Sequence, residues 1–197
     1  MRPFSRLLVL AFSVLSLAAC SGGGPAGKGR ALGKADAPVK LVEYASMSCG
    51  HCAQFNNTEF PQLKAKYIDT GKVHYELREI LTPPNELSAA GFLLAECAGP
   101  ERYFDVVDAV FQNLLTSISA DPRSGLLNIA RGAGMSEEAF DKCIGDPEAL
   151  KALEDRVKKN SASATSTPTF WIGNTKFTGE PTAAGLSAAI DAALAKK

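Results

Sequence analysis

Hydrophobic residues change their spacing twice along this chain, and the changes predict its elements. Val39-Lys40-Leu41-Val42-Glu43-Tyr44-Ala45 is rich in β-formers and predicts a strand. From Cys52 to about Ile68 the pattern is helical, with Phe60, Leu63 and Tyr67 on one stripe and Pro61 placed to bend it. Gly71 ends that unit. Lys72 to Leu81 alternates again, with Val73, Tyr75 and Leu77 on one face. Strand, helix and strand in this order make a βαβ unit with parallel strands.

Pro83-Pro84 then breaks the chain, and from Asn85 to about Ala162 the spacing is helical throughout. Leu87 to Cys97 is rich in Ala and Leu. Arg102 to Leu115 carries Phe104, Val107, Phe111 and Leu114 at helical spacing. Ser136 reads as an N-cap, and Asp146-Pro147 as a cap with Pro at the first helical position. Four or five helices are expected here. Thr169 to Ile172 and Lys176 to Thr178 flank the turn residues Gly173-Asn174-Thr175 and predict a hairpin. Thr182 to Leu194 closes the chain as an amphipathic helix. The expected architecture is α/β: a small mixed sheet built from residues 31–84 and 163–197, interrupted by an all-helical insertion over 85–162.

The N-terminus reads as targeting sequence. Arg2 and Arg6 precede an apolar run, Leu7 to Ala19, that is short for a bilayer span and suited to a signal segment. Residues 1–19 are therefore expected to be a signal peptide. The Cys20 that follows Ala18-Ala19 resembles the lipobox of bacterial lipoproteins, in which that Cys becomes the lipidated N-terminus. Residues 20–30, with Ser21-Gly22-Gly23-Gly24-Pro25, read as a flexible tether behind it. These features predict a lipid-anchored protein of the bacterial periplasm, with a lean to the outer membrane because Ser21 carries no charge. The chain of 197 residues balances its formal charges to zero, which gives no reason to expect nucleic acid as a partner.

Of the five cysteines, Cys20 belongs to the lipobox; Cys49, Cys52, Cys97 and Cys143 remain. An even count in an exported chain points to disulfides, and four Cys allow three pairings. The Cys49–Cys52 spacing favours that pair and leaves Cys97 with Cys143. A bridge between Cys97 and Cys143 would stabilise by ~4 kcal/mol in the chain-entropy model; two buried free thiols are the alternative. Cys49-Gly50-His51-Cys52 stands where a strand hands over to a helix. There the first Cys meets unpaired backbone N–H groups and the positive end of the helix dipole, which favour its thiolate. His51 adds a donor, and Gly50 leaves the loop backbone accessible. Cys-x-x-Cys is also half a zinc site, but no second close Cys/His pair accompanies it, so no metal is expected.

From about Leu32 onward the chain resembles bacterial DsbA-type thiol–disulfide oxidoreductases. The segment Glu43-Tyr44-Ala45-Ser46-Met47-Ser48-Cys49-Gly50-His51-Cys52, the Thr167-Pro168-Thr169-Phe170 loop and the long helical stretch between them carry the resemblance. It implies a thioredoxin-like fold with an inserted helical domain and a cis-Pro168 loop facing the cysteines. A redox-active disulfide would serve in place of any cofactor. Substrates would be unfolded or partly folded exported proteins with Cys, and a quinone-linked membrane protein would be the redox partner. Glu43 shares a strand face with Val39, Leu41 and Ala45. If that face is the core side, it is a buried acid suited to proton transfer at Cys52, the role the resemblance gives it. Two residues differ from the best-known DsbA: Gly50 stands where that protein has Pro, and Thr167 precedes the proline as in bacterial isomerases. An isomerase or reductase is therefore the alternative reading, and a thiol-based metal binder or holdase the third. His74 reads as structural or exposed, and Phe170 and Trp171 as sheet core.

Overall fold

A computed structural model describes residues 30–197. The predicted signal segment, Cys20 and residues 20–29 of the predicted tether lie outside the described residues. Five strands form one sheet: β1 (Arg30–Leu32), β2 (Val39–Ala45), β3 (Val73–Glu79), β4 (Thr169–Ile172) and β5 (Thr175–Lys176). Their order across the sheet is β1-β3-β2-β4-β5. β2 and β3 are parallel, as a helical crossover requires. The other pairings, β1 with β3, β2 with β4 and β4 with β5, are antiparallel.

β2 holds the centre, and its composition explains why. Six of its seven residues are buried, so both faces of the strand are covered. Leu41 and Ala45 face the main core with Val73, Tyr75 and Leu77 of β3. Val42 and Tyr44 face the other way, into a small cluster with Ile80, Ala164 and Trp171.

The crossover after β2 departs from the expected single bent helix. It begins at Gly50, two positions before Cys52, because Cys49 is its N-cap. It is divided into α1 (Gly50–Thr58), α2 (Phe60–Leu63) and a π-helical turn over Lys64–Ile68. The break falls at Glu59, just ahead of Pro61. Proline brings no N–H to the helical ladder, and its ring crowds the carbonyl one turn back. β1 departs from the expected tether, which runs to residue 30: three residues are too few to show an alternation. An ion pair with Glu96 and a seat over the Tyr103 ring, 5.2 Å from its centroid, hold Arg30 against the fold.

Between β3 and β4 the chain runs through α3 (Asn85–Cys97), α4 (Tyr103–Asn113), α5 (Pro122–Gly132), α6 (Glu137–Ile144) and α7 (Pro147–Asn160), with a second π-helical turn at Leu114–Ile118. The caps are local. Ser136 accepts from the Ala139 amide, and Asp146 accepts from the Glu148 and Ala149 amides. Helix α8 (Ala183–Leu194) starts at Thr182, which accepts from the Gly185 amide, and packs beside α2 and the sheet.

Two long-range ties join the helices to the sheet and to each other. Glu79, buried at the end of β3, accepts from Arg156 Nε at 2.9 Å, and its carbonyl accepts from Asn160 Nδ2 at 2.9 Å, which fastens α7 to β3. Cys97 at the end of α3 is bonded to Cys143 of α6, with Cα atoms 6.2 Å apart and a sequence separation of 46. A bridge closing so long a loop removes much of the unfolded chain's freedom. Replacing both cysteines together by Ser is expected to lower the unfolding free energy by ~4 kcal/mol, read from urea denaturation. An unchanged midpoint would show that the bridge adds no stability.

Candidate active site

The segment from Ser46 to Cys49 carries the chain from β2 into α1, and hydroxyl groups hold it in place. Ser46, fully buried, lies 2.8 Å from Ser88 Oγ of α3 and accepts from Thr82 Oγ1 at 2.8 Å. Ser48 donates to the Thr82 carbonyl at 2.7 Å. The Met47 amide donates to Ser88 Oγ. The segment is thus fastened to the β3–α3 corner before it reaches the sulfur.

Cys49 has extended backbone geometry as the N-cap residue, and its carbonyl accepts from Ala53 as the first helical bond. Its Sγ accepts from the Cys52 amide at 3.3 Å. A serine or aspartate oxygen does this at an ordinary helix start; here sulfur does it. Cys49 is half-buried and Cys52 has no exposed surface; both are free thiols. The Thr167–Pro168 peptide is cis, and the Thr167 carbonyl lies 3.5 Å from Cys49 Sγ. β4 follows directly and is paired with β2, so the sheet itself sets the proline loop opposite the helix start.

The two thiols are pushed apart. Cys49 is lowered to about 5, chiefly by hydrogen bonding with the Cys52 thiol, against partial burial. The Thr167 side chain and the backbone at Cys52 and His51 lower it further. Cys52 is raised far above its ordinary value, first by burial, then by its hydrogen bond with Cys49 and by the charges of Glu43 and Cys49. The outer sulfur is therefore an anion at neutral pH and the inner one keeps its proton.

Glu43 lies on the core face of β2 with only 3% of its surface exposed. Burial raises it to about 8; the Tyr75 hydroxyl, donating to Oε2 at 2.7 Å, works against that rise. Nothing in the sequence pairs Glu43 with Tyr75. Alternation places each on a buried face, but only the parallel register, which sets Leu41 beside Tyr75 and Glu43 beside Leu77, makes them neighbours. Ser46, Thr82 and Ser88 leave no sequence signal either, since single hydroxyls scattered over two connecting segments and a helix form no pattern.

Gly50 and His51 form the outer turn of the loop. His51 is exposed, and a Cβ added at Gly50 would meet only Leu115, at 3.8 Å. Leu115, with 70% of its surface exposed, borders a shallow groove with Gly50, His51 and Phe111. A second groove, lined by His51, Phe55, Thr58, Thr167, Pro168 and Glu180, opens on the other side of His51. Phe170 is buried against Phe55, with ring centroids 4.7 Å apart, and half-buried Trp171 donates to the Ser163 carbonyl. His74 stands apart on β3, partly buried. Among the described residues no group of three or more His, Cys, Asp or Glu is placed to hold a metal ion.

Comparison with known proteins agrees with this arrangement. The family model described as Thioredoxin matches residues 26–192. A Rickettsia bellii protein provisionally named a protein-disulfide oxidoreductase is 34% identical over 168 residues, covering 83% of this chain and 63% of that protein. The chain thus spans about six-tenths of the length of the curated relatives it matches. The crystal structure of Wolbachia pipientis alpha-DsbA1 superposes with a TM-score of 0.77 at 28% identity, over 85% of this chain and 91% of that one. Oxidised BdbD from Bacillus subtilis shares the fold, with a TM-score of 0.76 at 21% identity, over 86% of this chain and 94% of that one.

The thiolate's ultraviolet absorbance is expected to titrate with a midpoint near pH 5 in the reduced protein, and Cys52→Ala to move it toward the ordinary value of 9. Because the folded pKa is the lower one, this group's contribution to stability grows as pH rises from about 5 to 9, and is lost as pH falls through 5. A midpoint near 9 in the unaltered protein would refute the assignment of the anion to Cys49.

Proposed function

Because this chain belongs to the thioredoxin family and is of the DsbA type, we propose that it is a thiol–disulfide oxidoreductase that introduces disulfides into exported proteins through Cys49 and Cys52. The observation that carries this reading is the division of labour between the sulfurs: one reachable and stabilised as an anion, the other enclosed and held as a thiol.

The oxidised pair reacts in two displacements. A substrate thiolate attacks Cys49 Sγ, a mixed disulfide forms, and the Cys49–Cys52 bond breaks with Cys52 as leaving group. Cys52 then takes up a proton, for which protonated Glu43 is the nearby source. A second substrate thiolate attacks the substrate sulfur of the mixed disulfide, and Cys49 departs as the anion that its surroundings favour. The substrate leaves with a new disulfide, and the protein has gained two electrons. A leaving thiol of low pKa departs quickly and makes the disulfide a stronger oxidant. No bound cofactor enters this cycle.

The substrates are unfolded or partly folded chains with reduced Cys, which the shallow grooves beside His51 accommodate better than a closed pocket would. Reoxidation falls to a membrane protein linked to quinone. The targeting sequence and Cys20 support a site of action in the bacterial periplasm on a lipid anchor, with a lean to the outer membrane. Cys-Gly-His-Cys and Thr167 support the alternative, an isomerase or reductase on the same scaffold.

The oxidised protein is expected to convert an equimolar amount of a reduced, unfolded dithiol substrate to its disulfide without any added oxidant, and Cys49→Ser to leave the substrate reduced. Acceleration confined to scrambled substrate in the presence of a thiol reductant would establish the isomerase instead.

A further inference from the structure

Tyr75 takes no part in the exchange described above, yet among the described residues it makes the one polar contact of the Glu43 side chain. Its hydroxyl donates to Glu43 Oε2 at 2.7 Å, both side chains being buried. Its ring is clamped between Phe60, at 4.8 Å between centroids, and Phe104, at 6.0 Å. The hydroxyl therefore has little freedom to turn away. We propose that Tyr75 is a positioning residue that holds Glu43 by Oε2 and leaves Oε1 to carry the proton exchanged with Cys52. This inference rests on the oxidoreductase reading of the Cys49–Cys52 pair.

A buried carboxyl that exchanges protons must serve in both charge states. In transferring a proton to and from Cys52, Glu43 must be an acid when the disulfide opens and a base when it closes. In closing, Cys52 loses its proton to Glu43 and attacks Cys49 Sγ of a mixed disulfide, which expels the other thiolate. Burial alone favours the acid form at the expense of the base. A hydrogen bond donated by a rigid phenol favours the carboxylate and restores the second role. Burial holds Tyr75 itself well above the ordinary phenol value, so it donates without ionising. The other titratable groups whose charge reaches this pair are Cys49, the N-cap of α1, Cys52 within α1, and Tyr103 and Asp108 of α4.

The test follows oxidation of the reduced full chain by oxidised glutathione in stopped flow. The step whose rate no longer depends on glutathione concentration is the attack by Cys52. Its rate in the unaltered protein is expected to rise with pH through a midpoint near 8. Tyr75→Phe is expected to move the midpoint up by about one to two pH units, and to slow the step at pH 7 by ~10-fold to ~100-fold. Site-specific 3-fluorotyrosine at position 75 keeps the shape and makes the phenol a stronger donor, so it is expected to move the midpoint down. Opposite shifts are not what a packing role would produce. Equal midpoints in all three proteins would overturn the assignment of Tyr75 and leave the exchange reading intact. Failure of the unaltered protein to react with oxidised glutathione would overturn both.

Discussion

The first turn of any α-helix leaves backbone N–H groups without partners, and in this protein a sulfur atom meets them. The Cys52 amide reaches Cys49 Sγ at 3.3 Å, and the helix dipole adds its positive end at the same place. Much else in the structure serves to keep that sulfur there. β2 delivers the chain to the helix start, the Ser46–Thr82–Ser88 hydroxyls fix the connecting segment, and β4, paired to β2, brings the Thr167 carbonyl to the far side of the sulfur. The covered face of α1 encloses Cys52 in the core with Ala53 and Phe55. Exposure of one sulfur and enclosure of the other follow from a single helix start.

That asymmetry decides the chemistry. Two identical thiols in water would share their protons evenly and leave with equal ease. Here the inner thiol is costly to ionise and the outer one is costly to protonate, so an attacking thiolate finds a defined target and a defined leaving group. Glu43 belongs to the same arrangement. A charge buried in the centre of the sheet would be expensive, and the carboxyl meets that cost by keeping its proton up to about pH 8.

The sequence showed most of the frame because the frame is made of local signals. β2 and β3 were legible in their apolar composition and alternation, α6 and α7 in the caps Ser136 and Asp146, and the Cys pair in its spacing at a strand–helix junction. What remained hidden depends on contacts between distant residues. β1 is three residues long and exists because β3 offers an edge and Glu96 holds Arg30. The link between Glu79 and Arg156 spans 77 positions, and the contact of Tyr75 with Glu43 needs the β2–β3 register. That Glu43 faces the core from the central strand likewise follows only from the strand order and packing.

A Cys49 stabilised as a thiolate should make the Cys49–Cys52 disulfide oxidising. The reduction potential of this pair, obtained by equilibrating the protein with glutathione buffers, tests it most directly. A potential at or above about −180 mV is predicted, since the lowered thiol stabilises the reduced form. A value as low as thioredoxin's, about −270 mV, would instead identify the chain as a reductant.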